Sequence, residues 1–383
     1  MDPIQILQAA RITGKVQALQ DVRTLSPILT MLSRTPIVPA EEGELMVSFI
    51  GNPVIADLVA DDQKAAVYSV GKFRTETHGA PNLKLGQMLT QAQIKLLRSL
   101  NVNPARFSAY DNTENTILDQ LLNGVRMRME AICWARAMDG FSYRRLGIIM
   151  DNVTWGMPQE LKVTLEVPIT DHANCLIVTY INNLRRIAQV RYGIVYDRIS
   201  MSLAAFNEMI ACAEFQAKAR TYLAPNVSWV NLNTQNTEDM SALARRVLSV
   251  AEIELQDWRY WTQGEDGVLK SEPFMPINKF VFSARMNDNN AMVADFANGV
   301  PTEVDVSNLV RESNGIIGSL PADTYGPVGY AEGSLNPPQI TYWGVARGWS
   351  RKHLKQETAV MTVAPASGDD AIEEVVSIAE PEF

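Results

Sequence analysis

Residues 113–138 read TENTILDQLLNGVRMRMEAICWARAM, and this stretch decides how the rest of the chain is organised. Leu118, Leu121, Leu122, Val125, Met129, Ile132 and Cys133 recur at the spacing of one helix face. Asn112 and Thr113 are suitable N-caps, Glu114 and Asp119 sit early, and Gly140 closes the pattern. A helix from Thr113 to Met138, at 1.5 Å per residue, spans roughly 39 Å. A rod of that length suits an elongated protein better than an ordinary compact domain.

The flanking sequence is consistent with such a shape. Residues 1–40 read as an arm: Ile4, Leu7, Val16 and Leu19 leave only a thin apolar stripe, and Pro27, Pro36 and Pro39 forbid a continuous helix. Arg11, Lys15, Arg23 and Arg34 make the segment mildly basic, and it is expected to order against something other than itself. Residues 61–103 predict a two-stranded excursion, with a strand between Ala65 and Thr77 and a turn at His78–Asn82. The return begins at Leu83, and Lys72, Arg74 and Lys84 give the excursion a basic tip.

Further along, Tyr180–Val190 and Glu238–Trp258 predict helices, and Phe274–Ser283 predicts a strand. Asn287–Gly299 and Asn314–Pro338 read as turn-rich loops. Strand character returns over 340–363. Thus a strand-rich unit begins before residue 171 and is completed after 340, with an α+β unit inserted between.

Composition narrows the function. With 46% hydrophobic and 20% charged residues, 383 residues predict two or three packed units rather than disorder. No apolar run reaches a membrane span, and the N-terminus lacks the pattern of a secretory signal. Cys133, Cys175 and Cys212 have no zinc or redox-motif spacing, so buried reduced thiols are expected. Residues 366–383 carry six acids and no base, so −6 of the formal −9 charge lies in this tail and −3 in the body. That near-neutral body shows no electrostatic footprint for sequence-specific nucleic-acid binding.

No phosphate loop, dinucleotide fingerprint, zinc helix or nucleophile elbow occurs. His78, His172 and His353 are scattered, so no metal site, cofactor or catalytic group is expected. Glu130 reads as a structural charge facing Arg126 or a neighbouring element. Trp258, Tyr260 and Trp261 with Arg259 read as an aromatic packing cluster at a helix end, in preference to a base-stacking platform.

Several stretches carry a resemblance. Arg128-Met129-Glu130 through Ala137-Met138-Asp139-Gly140, then Tyr143 and Val153-Thr154-Trp155-Gly156-Met157-Pro158, resemble the phage major capsid protein E family, the lambda-type branch of the HK97 fold. Lys279-Phe280-Val281-Phe282 with the loop to Asn298-Gly299, and Thr358–Val363, resemble later strands of that family. The order of elements matches over roughly residues 45–365. Residues 1–45 and the acidic tail depart from it.

The resemblance implies an α+β, HK97-like capsid fold. It has an N-terminal arm (1–60), an extended loop (61–105), a peripheral domain (106–170 and 340–365) with a spine helix, an axial domain (171–339) and an acidic tail (366–383). It implies a structural, non-enzymatic phage major capsid protein that self-assembles into hexamers and pentamers of an icosahedral virion shell enclosing DNA. Assembly would take place in the host cytoplasm, and scaffolding, portal and decoration proteins are the possible partners. Lys72, Arg74, Lys84, Arg11 and Arg23 are the expected inter-subunit contacts. An encapsulin-like nanocompartment shell, another phage assembly protein such as a tail tube, or an enzyme with a non-local site are the alternatives.

Overall fold

The computed structural model describes residues 29–39, 45–50, 72–77, 81–89, 107–145, 148–222, 237–263, 269–284, 294–299, 327–335, 338–368 and 371–372. The chain forms two compact units, and each is built from discontinuous segments. Unit 1 takes Met1–Leu45, Thr77–Cys133 and Asp295–Arg351; unit 2 takes Met46–Glu76, Trp134–Ala294 and Lys352–Phe383. Of the described residues, 295–299, 327–335 and 338–351 fall in unit 1 in this division.

Unit 1 is a helix on a sheet. It begins with a short helix α1 (Thr30–Arg34) and strand β1 (Ile37–Pro39). The long helix α2 spans Phe107–Ala137, about 46 Å at 1.5 Å per residue. It starts before the expected caps because no helix breaker intervenes after Pro104. Leu118, Leu121, Leu122, Val125, Met129, Ile132 and Cys133 are all buried, as the spacing predicts. The first part of α2, through Cys133, belongs to unit 1, and its last turn from Trp134 belongs to unit 2.

The unit 1 sheet joins β1 to β13 (Ala294–Gly299), β15 (Pro338–Lys352) and β14 (Val328–Leu335), with β4 (Asn82–Leu89) also on β15. Both stretches expected as turn-rich loops therefore contain strands. In β13 every residue from Ala294 to Gly299 is buried, so central pairing overrides the weak strand propensity of Asp295, Asn298 and Gly299. β14 pairs with β15 antiparallel along its full length, from Val328 opposite Val345 to Leu335 opposite Pro338.

The excursion over 61–103 is also different from expectation. β3 (Lys72–Thr77) pairs with β2 (Leu45–Ile50), and β4 pairs antiparallel with β15, Ile340 to Arg347 opposite Leu89 to Asn82. A long partner satisfies more backbone groups than a local hairpin does, so β4 joins the sheet. The segments meet closely through small residues. A Cβ on Gly344 would lie 3.1–3.2 Å from Leu121 of α2, and one on Gly86 would strike the Trp343 ring at 2.3 Å. These glycines serve close approach rather than chain flexibility.

Unit 2 is α+β. Its five-stranded sheet has the order β7 (Lys162–Thr164), β16 (Thr358–Thr362), β12 (Lys279–Ala284), β8 (Tyr196–Met201) and β9 (Glu252–Leu255). The helices are α3 (Ile177–Tyr192), α4 (Leu203–Ala211), α5 (Ala213–Arg220) and α6 (Thr237–Leu248). Two two-stranded ribbons, β5 (Phe141–Arg145) with β6 (Ile148–Val153) and β10 (Arg259–Gln263) with β11 (Leu269–Pro273), complete its described pairings with β2 and β3.

Two local signals set the boundaries here. Ser202 caps α4 by accepting a hydrogen bond from the Ala205 N–H at 3.1 Å. The helix expected over Glu238–Trp258 stops at Leu248 because Ser249 takes a left-handed conformation (φ 52°). Glu252-Ile253-Glu254-Leu255 then lies parallel to β8 as the sheet's edge strand.

Candidate functional site

Three residue groups stand out, and each can be built up from its local sequence. In unit 1, Glu130 is completely buried on α2. Its carboxylate accepts hydrogen bonds from the backbone N–H groups of Met31 (2.9 Å) and Leu32 (2.6 Å) and from the Thr30 hydroxyl (3.4 Å). These N–H groups are orphan donors of the first turn of α1, which has no side-chain cap of its own. A side chain a hundred residues downstream thus caps it, and negative charge at a helix N-terminus is favourable.

Leu29, Met31 and Leu32 are buried beside this clamp, and β1 continues the segment by pairing parallel with β13. Part of the expected arm is therefore integral to unit 1. The partner of Glu130 was invisible in sequence because α1 is one turn long and has no periodic signature. A largely buried ion pair ties the sheet: Arg351 donates to both Asp295 oxygens at 2.7 and 2.8 Å.

In unit 2 a buried charge cluster surrounds the helix end. Arg136 and Lys352 are fully buried, and Lys355, Glu357 and Asp139 nearly so. Arg136 Nε lies 3.4 Å from Glu357 Oε1, and Lys162 Nζ lies 2.7 Å from Asp139 Oδ2. Lys352 donates to the Thr358 hydroxyl at 2.8 Å, and that hydroxyl donates to the Ala137 carbonyl at 2.9 Å, closing the last turn of α2. Asp139 Oδ1 accepts from the Trp155 N–H at 2.7 Å. Gly156 follows at φ 77°, and a Cβ there would lie 2.8 Å from Lys355 Nζ. The Trp155-Gly156 pair singled out in the sequence therefore lies along this cluster. Lys352 itself gave no signal: it falls within the stretch 340–363, read only as strand-rich.

Burial pushes the Lys352 ammonium down to about 8, against the opposing pull of Glu357 and Asp139. The unfolded chain binds this proton up to its ordinary value of 10.5, so between pH 8 and 10.5 the unfolded state holds more protons. Stability attributable to Lys352 therefore rises with pH across that window, by about 2–3 kcal/mol, and is flat below it. Replacing Lys352 by Met removes this slope. Urea unfolding of both proteins at pH 7.5 and 9.5 checks it: wild type gains relative to the variant at the higher pH.

The third group is aromatic. Trp258 and Trp261 are 45% and 44% exposed on and beside the β10–β11 ribbon. Tyr260 packs its ring 5.0 Å from Phe274 and donates to Glu272, whereas Arg259 bonds Ser271. This is a ribbon, not the packed helix end expected, and its tryptophans face outward because β9 and β10 replace the helix. Val190 (71%), Leu176, Val195 and Tyr222 are further exposed apolar side chains of unit 2, and Met88 (61%), Ile37 and Leu85 are exposed in unit 1.

The expected contact residues are distributed unevenly. Arg11 and Arg23 lie outside the described residues, as does His78. Lys72 and Arg74 lie on β3. Lys84 lies on β4, within the unit 1 sheet, with its Nζ 4.3 Å above the Trp343 ring. His172 pairs with Glu208 at 2.6 Å. Among the described residues no group of three or more His, Cys, Asp or Glu side chains comes together as a metal site, and no helix is long and apolar enough to cross a membrane.

No family model and no curated protein matches the chain. Solved structures do. A candidate capsid protein of a prophage from E. coli CFT073 is similar at TM-score 0.52 and 12% identity, over 93% of this chain and 99% of that one. A phage-related protein of Bordetella bronchiseptica RB50 is similar at TM-score 0.49 and 8% identity, over 92% and 96%. The cyanophage A-1(L) capsid chain is similar at TM-score 0.44 and 11% identity, over 89% and 94%. The first of these matches covers enough of the chain to span both units. By its long helix, its two discontinuous units and this near-complete match, the chain has the α+β, HK97-like fold of phage capsid proteins.

Proposed function

We propose that the chain is the major capsid protein of a tailed bacteriophage, building hexamers and pentamers of an icosahedral shell around the DNA genome. The near full-length structural match to a prophage capsid-type protein is the observation that carries the reading. Within the fold, the sequence motifs around Glu130 and Trp155 favour the lambda-type branch. The role is structural rather than catalytic, its working surface is contact with other copies, and its place is the virion after assembly in the host cytoplasm. Scaffolding, portal and decoration proteins are the further partners this role calls for.

Exposed apolar residues in both units support it, since side chains such as Val190, Met88 and Trp261 gain from burial against another copy. Standard interfaces bury about 1,600 Å². A shell subunit makes several at once, and later contacts form at high effective concentration, so weak contacts close into a stable particle.

Sedimentation velocity of the purified chain, alone and with co-expressed assembly partners, tests the proposal. It expects a population in the megadalton range that is lost when Val190 and Trp261 are both replaced by Asp. A single small oligomer under every condition would contradict it.

A further inference from the structure

One surface of unit 2 combines three arginines with two outward-facing valines. Arg185, in the middle of α3, donates to the Tyr196 carbonyl at 2.9 Å, the Leu248 carbonyl at 2.7 Å and the Ser249 carbonyl at 3.0 Å. It thereby ties α3 to the end of α6 and to the start of β8. Arg245 and Arg246 lie in the last turn of α6, just before two of those carbonyls. Arg186 is the neighbour of Arg185, and Val190 follows it by four residues, so the two share one face of α3. Val195 immediately precedes the Tyr196 that Arg185 holds. Val190 and Val195 are 71% and 51% exposed, and Arg186, Arg245 and Arg246 are exposed as well.

These arginines leave the surface cationic. Arg191 holds Glu160 and Arg198 holds Glu252, whereas Arg186, Arg245 and Arg246 form no ion pair among the described residues. α3 contains no acid, the acids of α6 stand in its first turn, and the charge of Asp197 acts on Arg185. A phosphate backbone would use the arginines and leave the valines in water. An acidic segment interrupted by β-branched residues uses both. The chain contains one: residues 373–383 read EEVVSIAEPEF, with four acids, no base, and Val375, Val376 and Ile378 between the acids. The described residues end at Ile372. Eleven further residues reach roughly 40 Å when extended, comparable to the width of a compact unit of about 200 residues.

We propose that residues 373–383 bind this patch of their own chain, the acids meeting Arg186, Arg245 and Arg246 and the Val375–Ile378 run covering Val190 and Val195. The inference concerns unit 2 of the free chain and does not depend on the shell reading. Single exposed ion pairs are weak, and attachment offsets that weakness. A short tether sets an effective concentration of about 1 mM, so an intrinsic affinity of only about 0.1 mM leaves the patch about nine-tenths covered. The contact is mostly electrostatic between exposed groups, so salt loosens it. Another copy that buries Val190 has to displace the acidic segment first. The segment therefore acts as a brake on association through this face of unit 2.

The test uses the full-length protein with Ser377→benzoylphenylalanine, irradiated at low protein concentration and low salt, and maps the crosslinked peptides. Crosslinks concentrated in residues 182–195 and 243–249, within a product of monomer mass, are the expected result. Their yield should fall at least tenfold in 1 M salt, and by as much when Arg186, Arg245 and Arg246 are all changed to Glu. If that variant fails to fold, changing Glu373, Glu374, Glu380 and Glu382 to Gln applies the same test from the other side. Crosslinks spread over unit 2 without preference, links between two copies only, or a yield indifferent to salt and charge would each overturn the proposal. So would retention of a DNA duplex that needs the three arginines and is unchanged by the four Glu-to-Gln substitutions, which would assign the patch to nucleic acid.

Discussion

Replacing Glu130 by Ala lowers the stability of unit 1 by about 3–5 kcal/mol. The carboxylate accepts from the Met31 and Leu32 N–H groups, and all three residues are buried, so water does not replace it. Each orphaned buried donor costs about 1–3 kcal/mol, and hydrogen bonds to a charged group are at the strong end. The same change frees α1, exposing Leu29, Met31 and Leu32. Limited proteolysis should cut near residues 29–39 well before the wild type is touched, and the melting temperature should fall by about 10 °C. Glu130→Gln retains one acceptor and falls between. An unchanged protease pattern in the alanine variant would show that the clamp does not hold α1.

The second large effect lies in unit 2. Replacing Glu357 by Leu removes one partner of a buried charge pair, and breaking such a pair costs about 3–5 kcal/mol. Changing Arg136 to Met in the same chain removes the other partner. Apolar replacement of a whole buried pair is often neutral, so the double variant recovers most of the loss. A double-mutant cycle by chemical unfolding measures this directly. Additive losses from the two changes would mean that the 3.4 Å pair is not coupled.

How much of this was legible in the sequence follows from what each element depends on. The α2 face was readable because it is periodic over many residues and Leu118, Leu121, Leu122, Val125, Met129, Ile132 and Cys133 are all buried. Ser202 and the strands at 279–284 and 358–362 carry equally local signals. β13 and β4 do not: Ala294–Gly299 and Asn82–Leu89 become strands because distant β15 pairs with them. Glu252–Leu255 has helical spacing when joined to α6, and the left-handed Ser249 together with the free edge of β8 decides otherwise. The charged groups were legible as residue types but not as partners. Glu130 finds α1 only once non-local pairing has brought them together.

The measurement that bears most directly on the central claim is electron microscopy of the purified particles, with averaging sufficient to see subunit arrangement. Closed icosahedral shells with six- and five-fold clusters, each subunit showing one long rod for α2, are the predicted result. Helical filaments, or a uniform small oligomer with no higher assembly under any condition, would contradict the account.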